Sequence, residues 1–215
     1  MISNNRYKGI YRKGRGNPSY AIIHDGETEK WYLKLMLQEE NIRRHIDFKH
    51  FKGSLQEIYQ KIIELVSESY TQIFWIIDFD AIIKEENERS KKSISPFNEF
   101  IRIKADAQKY ANLLTIAVNN PCLEFWYLLH YKKTSKYYPK YEPELEELLR
   151  KFLPHYKKEE DYYKQARNLY VQLKPFQPTG IQNASALPLF DGTNRTQASA
   201  EIYKVVNHFI SLKNK

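Results

Sequence analysis

Cysteine is nearly absent from this 215-residue chain, Cys122 being the only one. That excludes an intramolecular disulfide framework and a clustered-thiolate zinc site, and it fits a reducing compartment. Cys122 itself reads as a small buried apolar side chain rather than a reactive thiol. No apolar run approaches the length of a membrane span, and Met1 to Ile10 is polar and basic rather than leader-like, so a soluble, cytoplasmic protein without a membrane partner is expected. Acid is missing from residues 1–20, which hold Arg6, Lys8, Arg12, Lys13 and Arg15. No internal repeat is visible.

The net charge of +8 is unevenly spread. Residues 1–20 contribute +5, residues 132–215 contribute +6 from 15 basic and 9 acidic groups, and the stretch between comes to −3 from 14 and 17. Basic ends flanking an acidic middle suit a carboxylate centre that works on a polyanion held by Lys and Arg. Tyrosines interleaved with lysine, as in Lys136-Tyr137-Tyr138 and Lys140-Tyr141, are also suited to stacking on nucleobases. Nucleic acid is therefore the expected partner.

The length allows one sizeable core, or a core with a smaller appendage. After the turn signal Gly16-Asn17-Pro18, Ser19 to Ile23 reads as a strand and Thr28 to Glu40 as a helix. A strand from Ile46 to Phe51 precedes Ser54-Leu55-Gln56-Glu57, a capping box that opens a helix through Val66. Gln72 to Ile77 is continuously apolar at its centre and should be a central strand buried on both faces. Residues 81–96 are charge-rich and are expected to form a mobile insertion. A helix from Phe97 to Ala111, a strand from Leu113 to Val118 and a helix from Leu123 to Tyr131 follow. The alternation predicts an α/β fold with a mostly parallel sheet flanked by helices, occupying residues 1–131. Residues 132–215 show only helical patterns, at roughly 143–153, 160–173, 179–187 and 197–212, and should form a helical C-terminal region packed on the core.

Two acidic clusters stand where strands should end, in His24-Asp25-Gly26-Glu27-Thr28-Glu29 and in Ile77-Asp78-Phe79-Asp80. Ligands of open α/β sheets bind outside the carboxyl ends of the strands, so these acids can meet in one crevice. Clustered carboxylates repel one another unless protonated or paired, and a hard divalent cation with oxygen ligands resolves this. Glu29, in the first turn of its helix, sits near Asp25, and Gly26 lets the chain turn sharply. Asp78 and Asp80 share one side if the segment is extended. Glu124 interrupts an apolar helix start, where a buried charge calls for a partner. His24 and His130 are read as simply hydrogen-bonded.

Asp25-Gly26-Glu27-Thr28-Glu29, Asp78-Phe79-Asp80, and Asn120-Pro121-Cys122-Leu123-Glu124-Phe125-Trp126 with Leu128-Leu129-His130 resemble, in order, the successive motifs of the RloB-like family, which includes the second component of the AbiL abortive-infection pair. Asn183-Ala184 and Asn194-Arg195-Thr196 are weaker echoes. That family is similar to Toprim domains, and its members often sit beside an ABC-type ATPase in phage-defence loci. The resemblance implies a Toprim-like metal-binding core at 1–131 and a metal-dependent nuclease cleaving phosphodiester bonds of DNA or RNA, tRNA included, as the effector of an anti-phage system. It implies Mg²⁺ or Mn²⁺ as cofactor and an ABC-type ATPase as partner, and leaves homo-oligomerisation open. Asp78 and Asp80 would anchor metal, Asp25 and Glu29 would complete the shell or transfer protons, and Glu124 would support a second metal, all five being catalytic and metal-binding. Two metals about 4 Å apart suit an in-line displacement at phosphorus. Asp25 stands where the family has glutamate, one methylene shorter.

Glycosyltransferases and haloacid-dehalogenase phosphatases also place Asp-x-Asp after a hydrophobic strand. Neither accounts for the Asp25 to Glu29 cluster, and Ile82 stands where such a phosphatase would have threonine. A non-catalytic subunit that binds an ATPase or nucleic acid is the alternative from another class. If the basic ends grip phosphates, nucleic-acid affinity should fall steeply with salt, and deleting residues 1–15 should flatten that slope while leaving metal binding intact. Anisotropy of a labelled oligonucleotide across a salt series checks this, and an unchanged slope would make the basic start an ordinary solvated surface.

Overall fold

A computed structural model describes residues 18–90 and 93–213. The basic residues Arg6 to Arg15 and the Gly16-Asn17 half of the turn signal lie outside the described residues. Strands β1 (Ser19–Ile23), β2 (His45–Lys49), β3 (Gln72–Asp78) and β4 (Leu114–Asn120) are parallel, and β5 (Ser199–Ala200) runs antiparallel to β4. Their order is β2-β1-β3-β4-β5. Helices α1 (Glu27–Glu39) and α2 (Leu55–Val66) make the first two crossovers, and α2 opens with the expected capping box between Ser54 and Glu57.

The two-residue period of the strands divides the core. Tyr20, Ile22, Phe74, Ile76 and Ala117 face α1, α5 (Leu123–Leu129) and the C-terminal helices, where Tyr32, Met36, Trp126, Val205 and Phe209 meet them. Ala21, Ile23, Ile73, Trp75 and Ile77 face α2, α3 (Phe79–Glu88) and α4 (Pro96–Asp106), packing on Tyr59, Ile62, Phe79, Ile82 and Phe100. Both faces of the central strand are buried, as its uninterrupted apolar run requires.

After α5 come an irregular turn at Tyr141–Leu145 and helices α6 (Glu146–Arg150), α7 (Glu160–Tyr163), α8 (Leu169–Leu173), α9 (Gln177–Ser185) and α10 (Ile202–Ser211). Leu145, Leu149, Leu169, Leu173, Val205 and Phe209 belong to the same apolar cluster as β1 and β3. The buried carboxylate of Glu40, just past α1, pairs with Lys174 at 2.9 Å and Lys213 at 2.8 Å and accepts from the Tyr170 hydroxyl at 3.1 Å. These bonds fasten two separate C-terminal segments, α8 with its cap and the end of α10, to the end of α1.

Three expectations are corrected. Residues 81–96 are not an insertion without structure through their first half, because α3 runs to Glu88. Phe79, Ile82 and Ile83 recur at helical spacing against the sheet, and the charges occupy the solvated face. Glu86 accepts from Ser95 Oγ at 2.6 Å and from the Phe97 N–H at 3.3 Å, which ties α3 to the start of α4. Residues 197–201 are not helical, since Ser199 and Ala200 pair with Asn120 and Asn119. The 160–173 stretch is two helices, divided where Asn168 caps α8 by accepting from the Val171 N–H at 3.0 Å.

Where α5 crosses α9, a Cβ on Gly180 would stand 2.9 Å from His130 Cε1. The His130 ring lies within hydrogen-bond distance of Trp126 O, at 2.9 Å, and of Gln177 Oε1, at 3.3 Å, so it has little room to retreat. Replacing an interior helical glycine by alanine ordinarily gains about 1 kcal/mol. Gly180→Ala should instead cost on the order of 1–3 kcal/mol through overpacking. The denaturation midpoint reads the sign, and a gain would show that α9 shifts freely.

Candidate functional site

The strand order reverses between β1 and β3, and at such a switch point the segments leaving the two strands diverge and open a crevice at their carboxyl ends. Asp25 and Glu29 follow β1, Asp78 ends β3, Asp80 lies in the first turn of α3, and Glu124 lies in the first turn of α5 just beyond β4. Asp78 and Asp80 do not share a side of an extended segment as expected, because the helix starts at Phe79. Instead the Asp80 N–H donates to Pro121 O at 3.0 Å, drawing the α3 start against the β4–α5 connection.

Gly26 caps α1, and a Cβ there would stand 2.8 Å from Glu29 Oε2. Glycine is needed for Glu29 to fold back over the helix start. Glu29 is buried, its Oε1 accepts from Thr28 Oγ1 at 3.2 Å, and its Oε2 has no hydrogen-bond partner. Burial raises its pKa; its own main-chain N–H opposes this, and the charge of Glu124 adds to it. Asp78 Oδ1 accepts from Asn119 Nδ2 and its Oδ2 from the Leu123 N–H, both at 3.2 Å. Burial and then Glu29, Glu124 and Asp80 nevertheless hold it well above the carboxylate range. Asp80 is raised to about 6 by burial first, with Lys158 opposing and Glu124 adding. Asp25 is raised to about 7 by its dense surroundings and then by Glu29, while the Asp78 main-chain N–H opposes and Glu85 adds. Solvent reaches the Asp25 side chain, so water in the cleft offsets part of that rise.

All five expected acids thus share one electrostatic neighbourhood. Among the described residues, however, no three His, Cys, Asp or Glu side chains converge closely enough to hold a metal ion. The donor chemistry still fits a hard divalent cation: the groups are carboxylates, and two buried oxygens, Glu29 Oε2 and Glu124 Oε2, lack partners.

Several residues in the cleft carry no signal in an acidic motif. Lys158, from the C-terminal region, places Nζ 2.9 Å from Glu124 Oε1, and the Tyr156 hydroxyl donates to the same oxygen at 2.8 Å. Desolvation would lower the Lys158 pKa, but Glu124, Cys122 and Asp78 outweigh it and hold the ammonium charged. Asn119 both donates to Asp78 and accepts from the Ile202 N–H at 3.3 Å, linking the acid to α10. Burial and then Glu124 push the Cys122 thiol well up, as an inert core cysteine requires. His130 is buried and depressed to about 4, so it stays neutral between α5 and α9. Asn183 donates to Leu129 O at 2.8 Å, a structural role at the end of α5. Arg195 lies over the Phe97 ring at 3.6 Å.

The family model described as RloB-like protein matches residues 20–209. The chain belongs to the RloB-like family, and the resemblance read from its motifs holds at that level. No curated protein and no solved structure matches it.

The raised acids make stability depend on pH in a defined direction. An acid whose folded pKa lies above its unfolded value destabilises the fold above the folded pKa, and that penalty fades as pH falls toward the unfolded value. For Asp25, raised to about 7, the window runs from about pH 7 down to about pH 4. In a chelator, Asp25→Asn should therefore stabilise the protein at pH 8, by on the order of 1 kcal/mol after allowance for solvent screening, and the gain should shrink steadily below pH 7. Melting curves of both proteins across that range check this, and a pH-independent difference would remove the shift at Asp25.

Proposed function

We propose that this chain is a metal-dependent nuclease of the Toprim type, cleaving phosphodiester bonds of DNA or RNA as the effector of a bacterial anti-phage system under an ABC-type ATPase partner. The observation that carries the reading is the gathering of Asp25, Glu29, Asp78, Asp80 and Glu124 at the switch point of the sheet, with unpartnered buried oxygens on Glu29 and Glu124. Charges so placed destabilise the fold unless they serve a ligand. The ordered family motifs support the reading independently.

Asp78, Asp80 and Glu29 would hold Mg²⁺ or Mn²⁺, with Asp25 and Glu124 completing the set. Such an ion supplies an activated water and charge stabilisation at phosphorus. Asp78 is oriented for this by Asn119 and the Leu123 N–H, which leave further lone pairs on both oxygens. Asp25, open to solvent and raised to about 7, is the group best suited to take a proton from water near neutral pH. Lys158 is poised to exchange Glu124 for a phosphate oxygen and offset charge there.

Two observations favour the non-catalytic alternative, a subunit that binds nucleic acid or the ATPase and only signals. The Lys158 ammonium already neutralises part of the cleft, and the described acids stand too far apart to grip an ion without side-chain movement.

Mg²⁺ or Mn²⁺ should raise the melting temperature, and the rise should shrink in Asp78→Asn and Asp80→Asn. Equal responses in wild type and variants would remove the metal assignment. Cleavage of DNA or RNA should be metal-dependent and abolished by Asp78→Ala; binding without cleavage, with the ATPase partner present, would favour the signalling subunit. Asp25→Ala should abolish cleavage too, whereas Asp25→Glu should change it by on the order of 100-fold, since a carboxylate displaced by about 1 Å costs that much. The rate rises if aspartate is a handicap and falls if the cleft has closed around it. Unchanged cleavage in Asp25→Ala would take position 25 out of the mechanism.

A further inference from the structure

A groove of about 1000 Å³ runs between α1 and β2, the edge strand of the sheet. Lys30, paired with Glu27 at 2.8 Å, and Lys34 line one wall, and Arg43 and Arg44 line the other, with Phe48 between them; Lys49 sits at the rim, on the strand face that Asp47 shares. Among the described residues, the one acid of the lining, Asp47, is already engaged, accepting from the Tyr70 hydroxyl at 2.5 Å and facing His45 Nε2 at 3.4 Å. Among the described residues, Arg43 and Lys49 belong to no ion pair, and Arg44 reaches only the Leu212 carbonyl, at 3.3 Å. Lys34 lies over the half-buried Phe48 ring at 5.5 Å. Its pKa is lowered by partial burial first and then by Lys30, the condition of a cation crowded by another cation.

The direction of the groove is as informative as its charge. Lys30 follows Glu29 directly, and Lys49 O accepts from the His24 N–H at 3.1 Å, so both walls converge beside Asp25. Arg43 and Arg44 stand at the far end, beyond α1. From Lys30 to Glu39 the helical wall is about 14 Å long, the span of a few nucleotides.

We infer that this groove is the track along which a single-stranded nucleic-acid segment of a few nucleotides runs to the acidic cleft. Its phosphates lie on Lys34, Arg43 and Arg44, and one base stacks on Phe48. The destination rests on the nuclease reading, while the binding surface rests on the groove's own charge and aromatic floor. A peptide strand added to the edge of β2 is the other occupant such an edge admits, but Lys34, Arg43 and Arg44, none of them in an ion pair among the described residues, match a polyanion better.

The test measures anisotropy of labelled single-stranded DNA and RNA with the full chain, without divalent metal, alongside cleavage assays with Mg²⁺. Lys34→Gln with Arg43→Gln should weaken binding about tenfold at low salt and make the log Kd against log salt slope shallower by about 1.4, the loss of two phosphate contacts. Phe48→Leu keeps the apolar volume and should weaken binding without changing the slope or discriminating between base compositions. Melting curves with and without Mg²⁺ should match wild type in both variants, which separates groove loss from misfolding. Wild-type affinity and slope in both variants, or no binding by the wild type, would overturn the groove. If the variants lose binding and the wild type never cleaves, the groove stands and the nuclease reading falls. If the wild type cleaves and the variants cleave with unchanged KM, the nuclease reading stands and the groove falls.

Discussion

Repulsion among carboxylates gathered where water is scarce governs the end of this sheet. Two like unit charges about 4 Å apart at an effective dielectric of about 20 cost about 4 kcal/mol, a large share of a domain's stability. The neighbouring residues can be understood as answers to that cost. Asn119 and the Leu123 N–H hold Asp78, Thr28 holds Glu29, and Tyr156 with Lys158 holds Glu124. These answers are incomplete, and the pKa values of Asp25, Glu29, Asp78 and Asp80 remain raised. A fold selected for stability alone would replace such acids.

The residues after 131 supply the only formal positive charge paired with a site acid among the described residues. Lys158 reaches Glu124 from the segment between α6 and α7, and its Nζ lies over the Tyr141 ring at 4.3 Å, which restricts where the ammonium can go. Tyr156 and Tyr163, with hydroxyls 3.3 Å apart, extend the polar wall behind it. The long connection to α7 is held by the same aromatic packing, with Tyr156 edge-on to Tyr127 and Tyr162. The electrostatic state of the cleft is therefore set jointly by the parallel sheet and the C-terminal region. A displacement of the latter would release Glu124 and change the charge that a ligand meets.

Much of this was legible in the sequence because it rests on local patterns. The apolar run of β3, the capping box at Ser54 and acids placed after strands each carry their own signal, and the acids lie within electrostatic reach of one another. Contacts set by distant pairing were not legible. Lys158 is one lysine among many until the fold brings it to Glu124, and Asn119 looks like a strand terminator until its two amide atoms are seen to serve Asp78 and Ile202. β5 is only two residues long, too short for alternation to register, and it exists because Asn119 and Asn120 offer an edge. The charges of α3 masked three apolar residues with helical spacing. Asp78 and Asp80 do not share one side of an extended segment, because the helix starts at Phe79; what draws Asp80 inward is its N–H bond to Pro121 O.

The position of β1 connects the two charged features. Its neighbour β3 delivers acids to the cleft, and its other neighbour β2 carries the basic groove, so opposite charges adjoin across one strand. At physiological salt, fields fade over about 8 Å, so a polyanion at the cleft mouth feels chiefly the nearest cations, Lys30 and Lys49, and the nearest acids, Asp25 and Glu29. The groove can then bring a phosphate to the cleft, but the unneutralised acids oppose its final step inward. On the nuclease reading, entry is favourable only once that charge is offset, whether by protonation, by Lys158 turning from Glu124, or by a bound divalent cation. Cation occupancy and phosphate binding would then be thermodynamically coupled, each strengthening the other by the same factor. The arrangement would hold nucleic acid at the threshold of a metal-free cleft and draw it in when the cation arrives.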